Sequence, residues 1–195
     1  MIILGLTGGI GMGKSTAAAA FRRAHIPVFD ADGAVHRMQA RGGRAVRAIA
    51  AAFPDAVRDG EVNRAALRQA ALGKPDALTR LEGILHPMVR QEEQAFVARA
   101  RRHGSRAVVL DIPLLLETGG DKRVDRIIVV SAPRAVQMHR IRGRRRMSDA
   151  DIEAVIARQM PDTAKRRRAD VVIKTGLSRN ASLKALSRVI REVLA

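Results

Sequence analysis

Short apolar runs alternate with longer amphipathic stretches along the chain. Ile2–Thr7 is an apolar run that stops at Gly8-Gly9 and predicts a buried strand. Lys14–Arg23, rich in Ala and then polar, predicts a helix. Pro27-Val28-Phe29 predicts a second strand running into Asp30-Ala31-Asp32. From Gly33 to about His103 the pattern is helical, with breaks expected at Gly42-Gly43, Phe53–Gly60, Gly73–Asp76 and His86-Pro87. Ala107–Leu110, stopping at Asp111, and Arg126–Val130 predict the third and fourth strands. Pro133–Arg144 and Asp149–Gln159 read as helices joined by a very basic elbow. Asp170–Ile173 predicts a fifth strand and Arg179–Leu194 a closing helix.

Strands alternating with helices imply parallel pairing through right-handed crossovers, so one α/β sheet covered on both faces is expected. With 195 residues and 47% hydrophobic composition, the chain is long and apolar enough for one domain with a substantial core. The helical stretch between the second and third strands is longer than a crossover needs, which marks it as a substrate-binding insert. No internal repeat or low-complexity tail interrupts the pattern.

Charge changes the picture of what such a domain meets. Lys and Arg number 36 against 19 Asp and Glu, a formal net charge of +17, and all but six of the basic residues are Arg. So positive a field attracts anions: nucleotides, nucleic acid or acidic lipid. The absence of Cys excludes disulfides, thiolate metal sites and a Cys nucleophile. The absence of Trp and Tyr, with only four Phe, argues against base-stacking platforms, so no functional nucleic-acid partner is expected. RNA affinity is expected only as counterion-driven attraction that fades at physiological salt. The N-terminus lacks the basic start and long apolar centre of a signal peptide, and no run reaches the roughly 18 residues of a membrane span. A cytoplasmic protein, monomeric or weakly homo-oligomeric and without a membrane partner, is the expectation.

The most informative segment is Gly8-Gly9-Ile10-Gly11-Met12-Gly13-Lys14-Ser15, which fits G-x-x-x-x-G-K-[ST]. A strand precedes it and a helix follows it, as a phosphate-binding loop requires. Glycines let the backbone fold into a nest of N–H groups aimed at one anion, and the helix from Lys14 adds its N-terminal partial charge. Gly11, Met12 and Gly13 supply backbone. Met12 is expected to serve through its N–H alone. The Lys14 ammonium suits the β- and γ-phosphates of a nucleoside triphosphate, the Ser15 hydroxyl suits Mg²⁺, and Thr16 suits the α-phosphate. A glycine turn that merely joined strand to helix would need fewer glycines and no Lys-Ser.

Two acidic positions fall at strand ends, where α/β proteins bind ligands. Asp111 follows Ala107–Leu110 and suits a water on Mg²⁺ or the orientation of a nucleophile. Either Asp30 or Asp32 could take a proton from an acceptor hydroxyl or help place the metal. The competing roles are structural: Asp32 as N-cap of the helix near Gly33, and Asp111 as the cap of a segment opened by Pro113. Arg140 and Arg144 share a helix face one turn apart and suit a polyphosphate, whereas Arg142, Arg145 and Arg146 read as a solvated basic face. His86, before a proline, reads as a partly buried turn residue. Glu92, Glu93, Asp151 and Glu153 read as ordinary solvated helix faces.

Taken together, Gly5–Thr16, Asp30-Ala31-Asp32, Leu85-His86-Pro87, Asp111-Ile112-Pro113-Leu114-Leu115-Leu116-Glu117, Gln137 with Arg140 and Arg144, and Ala169–Ile173 resemble bacterial dephospho-CoA kinases over essentially the whole chain. The resemblance implies a P-loop NTPase three-layer α/β/α fold with a five-stranded parallel sheet. Within one domain it implies a core at about 1–32, 104–135 and 160–195, a helical CoA-binding insert at about 33–103, and a lid at about 136–159. It implies transfer of the ATP γ-phosphoryl to the ribose 3′-hydroxyl of dephospho-CoA with Mg²⁺. Asp32 would be the catalytic base, Lys14 and Arg140 would stabilise the transferring group, and Arg144 would contact ATP from the lid. His86, Asp111 and Asp32 would face the substrate, with Asp111 serving the metal or the acceptor, and Gly176 would lie near the adenine. Three departures stand out: Met12 in place of Ser, Arg145-Arg146 after the lid arginine, and Lys174-Thr175 before Gly176.

Overall fold

The computed structural model of the chain describes residues 1–71, 74–144, 148–157 and 159–195, with the side chains of Arg144 and Asp151 left aside. Its elements run β1 (Ile2–Thr7), α1 (Lys14–Arg23), β2 (Val28–Asp30), α2 (Ala31–Gln39), α3 (Val46–Ala52), β3 (Val57–Arg58), β4 (Glu61–Val62), α4 (Arg64–Ala71), α5 (Pro75–Arg102), β5 (Ala107–Asp111), β6 (Arg126–Ser131), α6 (Arg134–Arg144), α7 (Asp149–Ala157), α8 (Asp162–Arg167), β7 (Val171–Lys174) and α9 (Arg179–Leu194).

Five strands form one sheet in the order β2-β5-β1-β6-β7. β1 pairs in parallel with β5 and β6, and β6 with β7. Every residue of β5 is buried, which requires cover on both faces of the sheet and explains its uninterrupted apolar run. On one face α1 and α9 pack together over the strands. Ala17, Ala18 and Ala20 let α1 approach closely, and Leu186, Val189 and Val193 give α9 its apolar stripe. Ser178 caps α9, its hydroxyl accepting from the Ala181 N–H at 3.0 Å. Because β1 lies between β5 and β6, the chain leaves β1 to one side first and to the other side later. That reversal opens a crevice at the carboxyl end of β1, where the glycine-rich loop begins.

The chain divides into two compact units, one comprising Met1–Phe29 with Arg99–Ala195 and the other Asp30–Ala98. The second unit is mainly helical and differs from the sequence expectation in three respects. Phe53–Gly60, expected only as a break, leads into a hairpin in which Val57 faces Val62 and Arg58 faces Glu61. Asp59 (φ 51°) and Gly60 (φ 76°) both take the left-handed conformation that a two-residue hairpin turn needs. The break expected at His86-Pro87 is absent, because α5 runs unbroken with Pro87 inside it. Pro87 and Gly83, four positions earlier, are both exposed, so the Gly83 carbonyl that loses its helical donor at Pro87 can turn to water. His86 is therefore an exposed helical residue rather than a partly buried turn residue. Glu93, expected on a solvated face, is 5% exposed, whereas Glu92 is half-buried and pairs with Arg37 and Arg44.

Candidate active site

The loop between β1 and α1 owes its shape to glycine at two positions. Gly11 (φ 75°) and Gly13 (φ 95°) are left-handed, and a Cβ on Gly11 would come within 2.8 Å of Ile141. Among the described residues, the amides of Gly11, Gly13, Lys14 and Ser15 make no backbone hydrogen bond. These four donors, at or just before the N-terminus of a ten-residue helix, form the kind of nest that receives phosphate oxygens. Met12 departs from expectation. Its N–H donates to the Gly9 carbonyl at 3.1 Å instead of joining the nest. Its buried side chain anchors the loop, the sulfur accepting from the Ala132 N–H at 3.0 Å.

Lys14 Nζ lies 2.5 Å from Asp111 Oδ1, with side-chain exposures of 17% and 7%. The β1–β5 register produces this contact, since Leu6 pairs with Asp111 and sets the acid beside the start of the loop. Asp111 is thus a partner of the loop lysine, and the segment opened by Pro113 is a run of turns and not the helix expected there. Ser15 and Thr16 are exposed on the first turn of α1. The hydroxyl of Ser15 and the carboxylate of Asp111 are hard oxygen donors of the kind Mg²⁺ accepts, and Mg²⁺ usually takes only one or two protein ligands beside water and phosphate. Among the described residues no cluster of three His, Asp or Glu side chains suited to a metal is found.

Arg140 is held by three acceptors. Its Nη2 donates to the Thr175 carbonyl at 2.6 Å, and its Nη1 donates to Thr175 Oγ1 at 3.0 Å and to the Gly11 carbonyl at 3.4 Å. Arg140→Lys, which keeps the charge and loses the planar fork, is expected to raise the KM for ATP about tenfold, the scale of one lost charge-assisted hydrogen bond. Steady-state kinetics with ATP varied checks this. Arg144 ends α6, but its side chain lies outside the described residues, as do Arg145 and Arg146 altogether. Arg142 pairs with both carboxylate oxygens of Asp149, joining α6 to α7. That hydrogen bond holds the exposed Asp149 carboxyl below its ordinary range. The pair's contribution is therefore present at neutral pH and is lost as pH falls through the lowered value.

Two glutamines have contacts that the sequence left unassigned, Gln137 having entered only with the family resemblance. Gln137 Nε2 donates to the Ile10 carbonyl at 2.8 Å, and Gln159 Oε1 accepts from the Ile10 N–H at 3.0 Å. Both polar groups of one loop residue are thereby fixed by side chains from the segment that follows β6. The contacts join residues 127 and 149 positions apart, so no local pattern could have disclosed them.

Lys165 was also missed, since beside the basic run Arg166-Arg167-Arg168 nothing local distinguishes it from a surface lysine. Instead it is 1% exposed, with Nζ 2.7 Å from Glu117 Oε1 and 3.3 Å from the Pro113 carbonyl. Glu117 Oε1 also accepts from the Met160 N–H at 3.0 Å. The pair ties α8 to the segment after β5. Lys165→Met is expected to cost about 3–5 kcal/mol, since it strands a largely buried carboxylate, and adding Glu117→Leu should recover much of that. Denaturant unfolding of the single and double variants measures both effects.

Two cavities adjoin the loop. One of about 630 Å³ is bounded by Met12, Pro133, Ile156, Met160 and Leu177, with Lys165 among its polar residues. A second of about 250 Å³ is bounded by Gly13, Thr16, Arg140, Thr175 and Arg179. Gly176 belongs to the larger cavity, and a Cβ there would lie 2.2 Å from Pro133, so this close approach requires glycine.

In the Asp30–Ala98 unit, the helix cap is Asp30 and not Asp32. Asp30 Oδ1 accepts from the Gly33 N–H at 2.9 Å, and Asp32 stands exposed in the first turn of α2. The structural role considered for Asp32 is thus already filled by its neighbour.

Residues 2–180 match the family model described as dephospho-CoA kinase. The chain belongs to the dephospho-CoA kinase family. A dephospho-CoA kinase of Brucella melitensis is 47% identical over 100% of this chain and 94% of its own length. A crystal structure of a Thermus thermophilus protein superposes with a TM-score of 0.89 at 32% identity, covering 100% of this chain and 98% of that one. The dephospho-CoA kinase of Campylobacter jejuni, 20% identical, shares the fold with a TM-score of 0.68 over 98% of this chain and 96% of its own. The three-layer α/β/α P-loop fold expected of the dephospho-CoA kinase family is the one observed.

Proposed function

We propose that the chain transfers the γ-phosphoryl of ATP to the ribose 3′-hydroxyl of dephospho-CoA, giving CoA and ADP, the last step of coenzyme A synthesis. The observation that carries this is the phosphate loop of a dephospho-CoA kinase family member: four amides at the head of α1 with the Lys14 ammonium beside them. In the transfer, the 3′-oxygen bonds to the γ-phosphorus as the bridging bond to the β-phosphate breaks and ADP departs.

The loop amides and Lys14 neutralise charge that spreads over the phosphoryl oxygens, the largest contribution a protein makes to this reaction. For the Lys14 ammonium to serve the phosphates, it must share or leave its contact with Asp111. Ser15, with Asp111 nearby through Lys14, would hold Mg²⁺. When bound, the ion would supply neutralisation of the triphosphate's negative charge. Asp32 takes the proton of the 3′-hydroxyl, and Arg140 steadies the phosphoryl. His86 and the Asp30–Ala98 unit serve dephospho-CoA, corresponding to the insert at about 33–103. The segment at about 136–159 acts as a lid that brings Arg144 to ATP and excludes water.

An assay of ADP release tests the proposal, with dephospho-CoA, nucleosides and nucleoside monophosphates offered separately. ADP release with dephospho-CoA alone is the expected result. Release with a nucleoside monophosphate and none with dephospho-CoA would overturn it. Among the described residues no helix is long and apolar enough to cross a membrane.

A further inference from the structure

Thr175 stands where β7 ends and the chain turns toward α9. Its N–H donates to the Ser131 carbonyl at 2.8 Å, extending the β6–β7 ladder by one residue. Its single hydroxyl proton has two acceptors in reach, the Met12 carbonyl at 2.6 Å and the Ser131 carbonyl at 3.4 Å, and the shorter contact is to the phosphate loop. The same hydroxyl oxygen accepts from Arg140 Nη1, and the Thr175 carbonyl accepts from Arg140 Nη2. The side chain also packs closely on the loop, since a Cβ on Gly13 would lie 3.3 Å from Thr175 Oγ1. One residue thus joins the loop, the end of β6 and the guanidinium of Arg140.

We propose that Thr175 is a positioning residue for the nucleotide: its hydroxyl locks the Met12 carbonyl and the Arg140 guanidinium together. The phosphate loop and Arg140 then present one preset surface to the triphosphate. Thr175 acts through these two groups and not on the reacting atoms. A hydroxyl that donates to one group while accepting from the other couples them more tightly than either contact alone. Movement of Arg140 away from the loop would break two contacts to this residue at once. The proposal rests on the kinase function only in taking ATP as the ligand, and the identity of the acceptor does not enter it.

Thr175→Val keeps the shape and removes the hydroxyl, while Thr175→Ser keeps the hydroxyl and removes a methyl. Calorimetric binding of Mg²⁺·ATP should weaken about tenfold in the valine variant, the scale of a hydrogen bond to a charged group, and stay within about twofold of the parent in the serine variant. The KM for ATP should follow, while the KM for dephospho-CoA and the thermal midpoint change little. Valine binding ATP like the parent, serine as weak as valine, or a lowered midpoint with equal loss for both substrates would each overturn the proposal. ATP binding that weakens in valine and recovers in serine supports it even where dephospho-CoA accepts no phosphoryl, a result that would remove only the assigned acceptor.

Discussion

Replacing Lys14 with alanine is expected to lower turnover about 10²–10³-fold, the loss typical when one preorganised group facing developing charge is removed. Glycines can shape a nest of amides, but they supply only partial charges. Lys14 adds a full cation from the loop's own sequence, held by the acid at the end of β5. Substitution by arginine should not rescue, because a planar fork cannot occupy the place of a compact ammonium. Asp111→Asn should cost less than Lys14→Ala, since it frees the ammonium and leaves it near the loop. Steady-state turnover at saturating Mg²⁺ and ATP measures all three. Turnover of Lys14→Ala within tenfold of the parent would remove Lys14 from the proposed chemistry.

Asp32→Asn is expected to lower turnover about 10²-fold while Mg²⁺·ATP binds as before, as befits loss of a general base that does not hold the nucleotide. The neighbouring residue provides the control. Asp30 caps α2, and Asn caps a helix about as well as Asp, so Asp30→Asn should leave both turnover and stability nearly unchanged. Asp30→Ala should instead cost about 1 kcal/mol of stability. Equal losses in turnover for Asp30→Asn and Asp32→Asn would mean that the two acids are not distinguished in the way proposed. Unchanged turnover of Asp32→Asn would leave it without a catalytic part.

The sequence disclosed what depends on local pattern. An apolar run ending in glycines, followed by Lys-Ser, could only be strand, loop and helix, and β1, the loop and α1 follow it residue for residue. β5 and β6 were visible for the same reason, as short apolar runs with turn signals at both ends. Where the pattern misled, a tertiary or side-chain effect outweighed it. Pro87 signals a break, yet a 28-residue helix absorbs it on a face open to solvent. Asp59-Gly60 was seen as punctuation, but strands two residues long carry too little alternation to announce a hairpin. Six-residue α8 is too short to show a periodic pattern, and its Lys165 is buried against Glu117.

The site was legible in its parts and not in its wiring. Lys14, Asp111 and Arg140 could be named from motif and helix spacing, but not the pairing of the first with the second, nor the attachment of Arg140 to Gly11 and Thr175. Such contacts are set by strand order and register, which bring together residues far apart in the chain. The contact of Thr175 with Met12 spans 163 positions, and that of Gln159 with Ile10 spans 149. Met12 shows the limit from the other side, since its residue type suggested a passive backbone contributor. Only the fold shows its N–H turned to Gly9 and its sulfur holding the end of β6.

Titration of the ¹⁵N-labelled protein with Mg²⁺ and a non-hydrolysable ATP analogue, followed by amide chemical shifts, tests most directly whether the turn after β1 holds the triphosphate. The largest shifts are expected at Gly11, Gly13, Lys14, Ser15 and Thr16, saturating together. Saturable binding that leaves these five amides unmoved while others shift would contradict it.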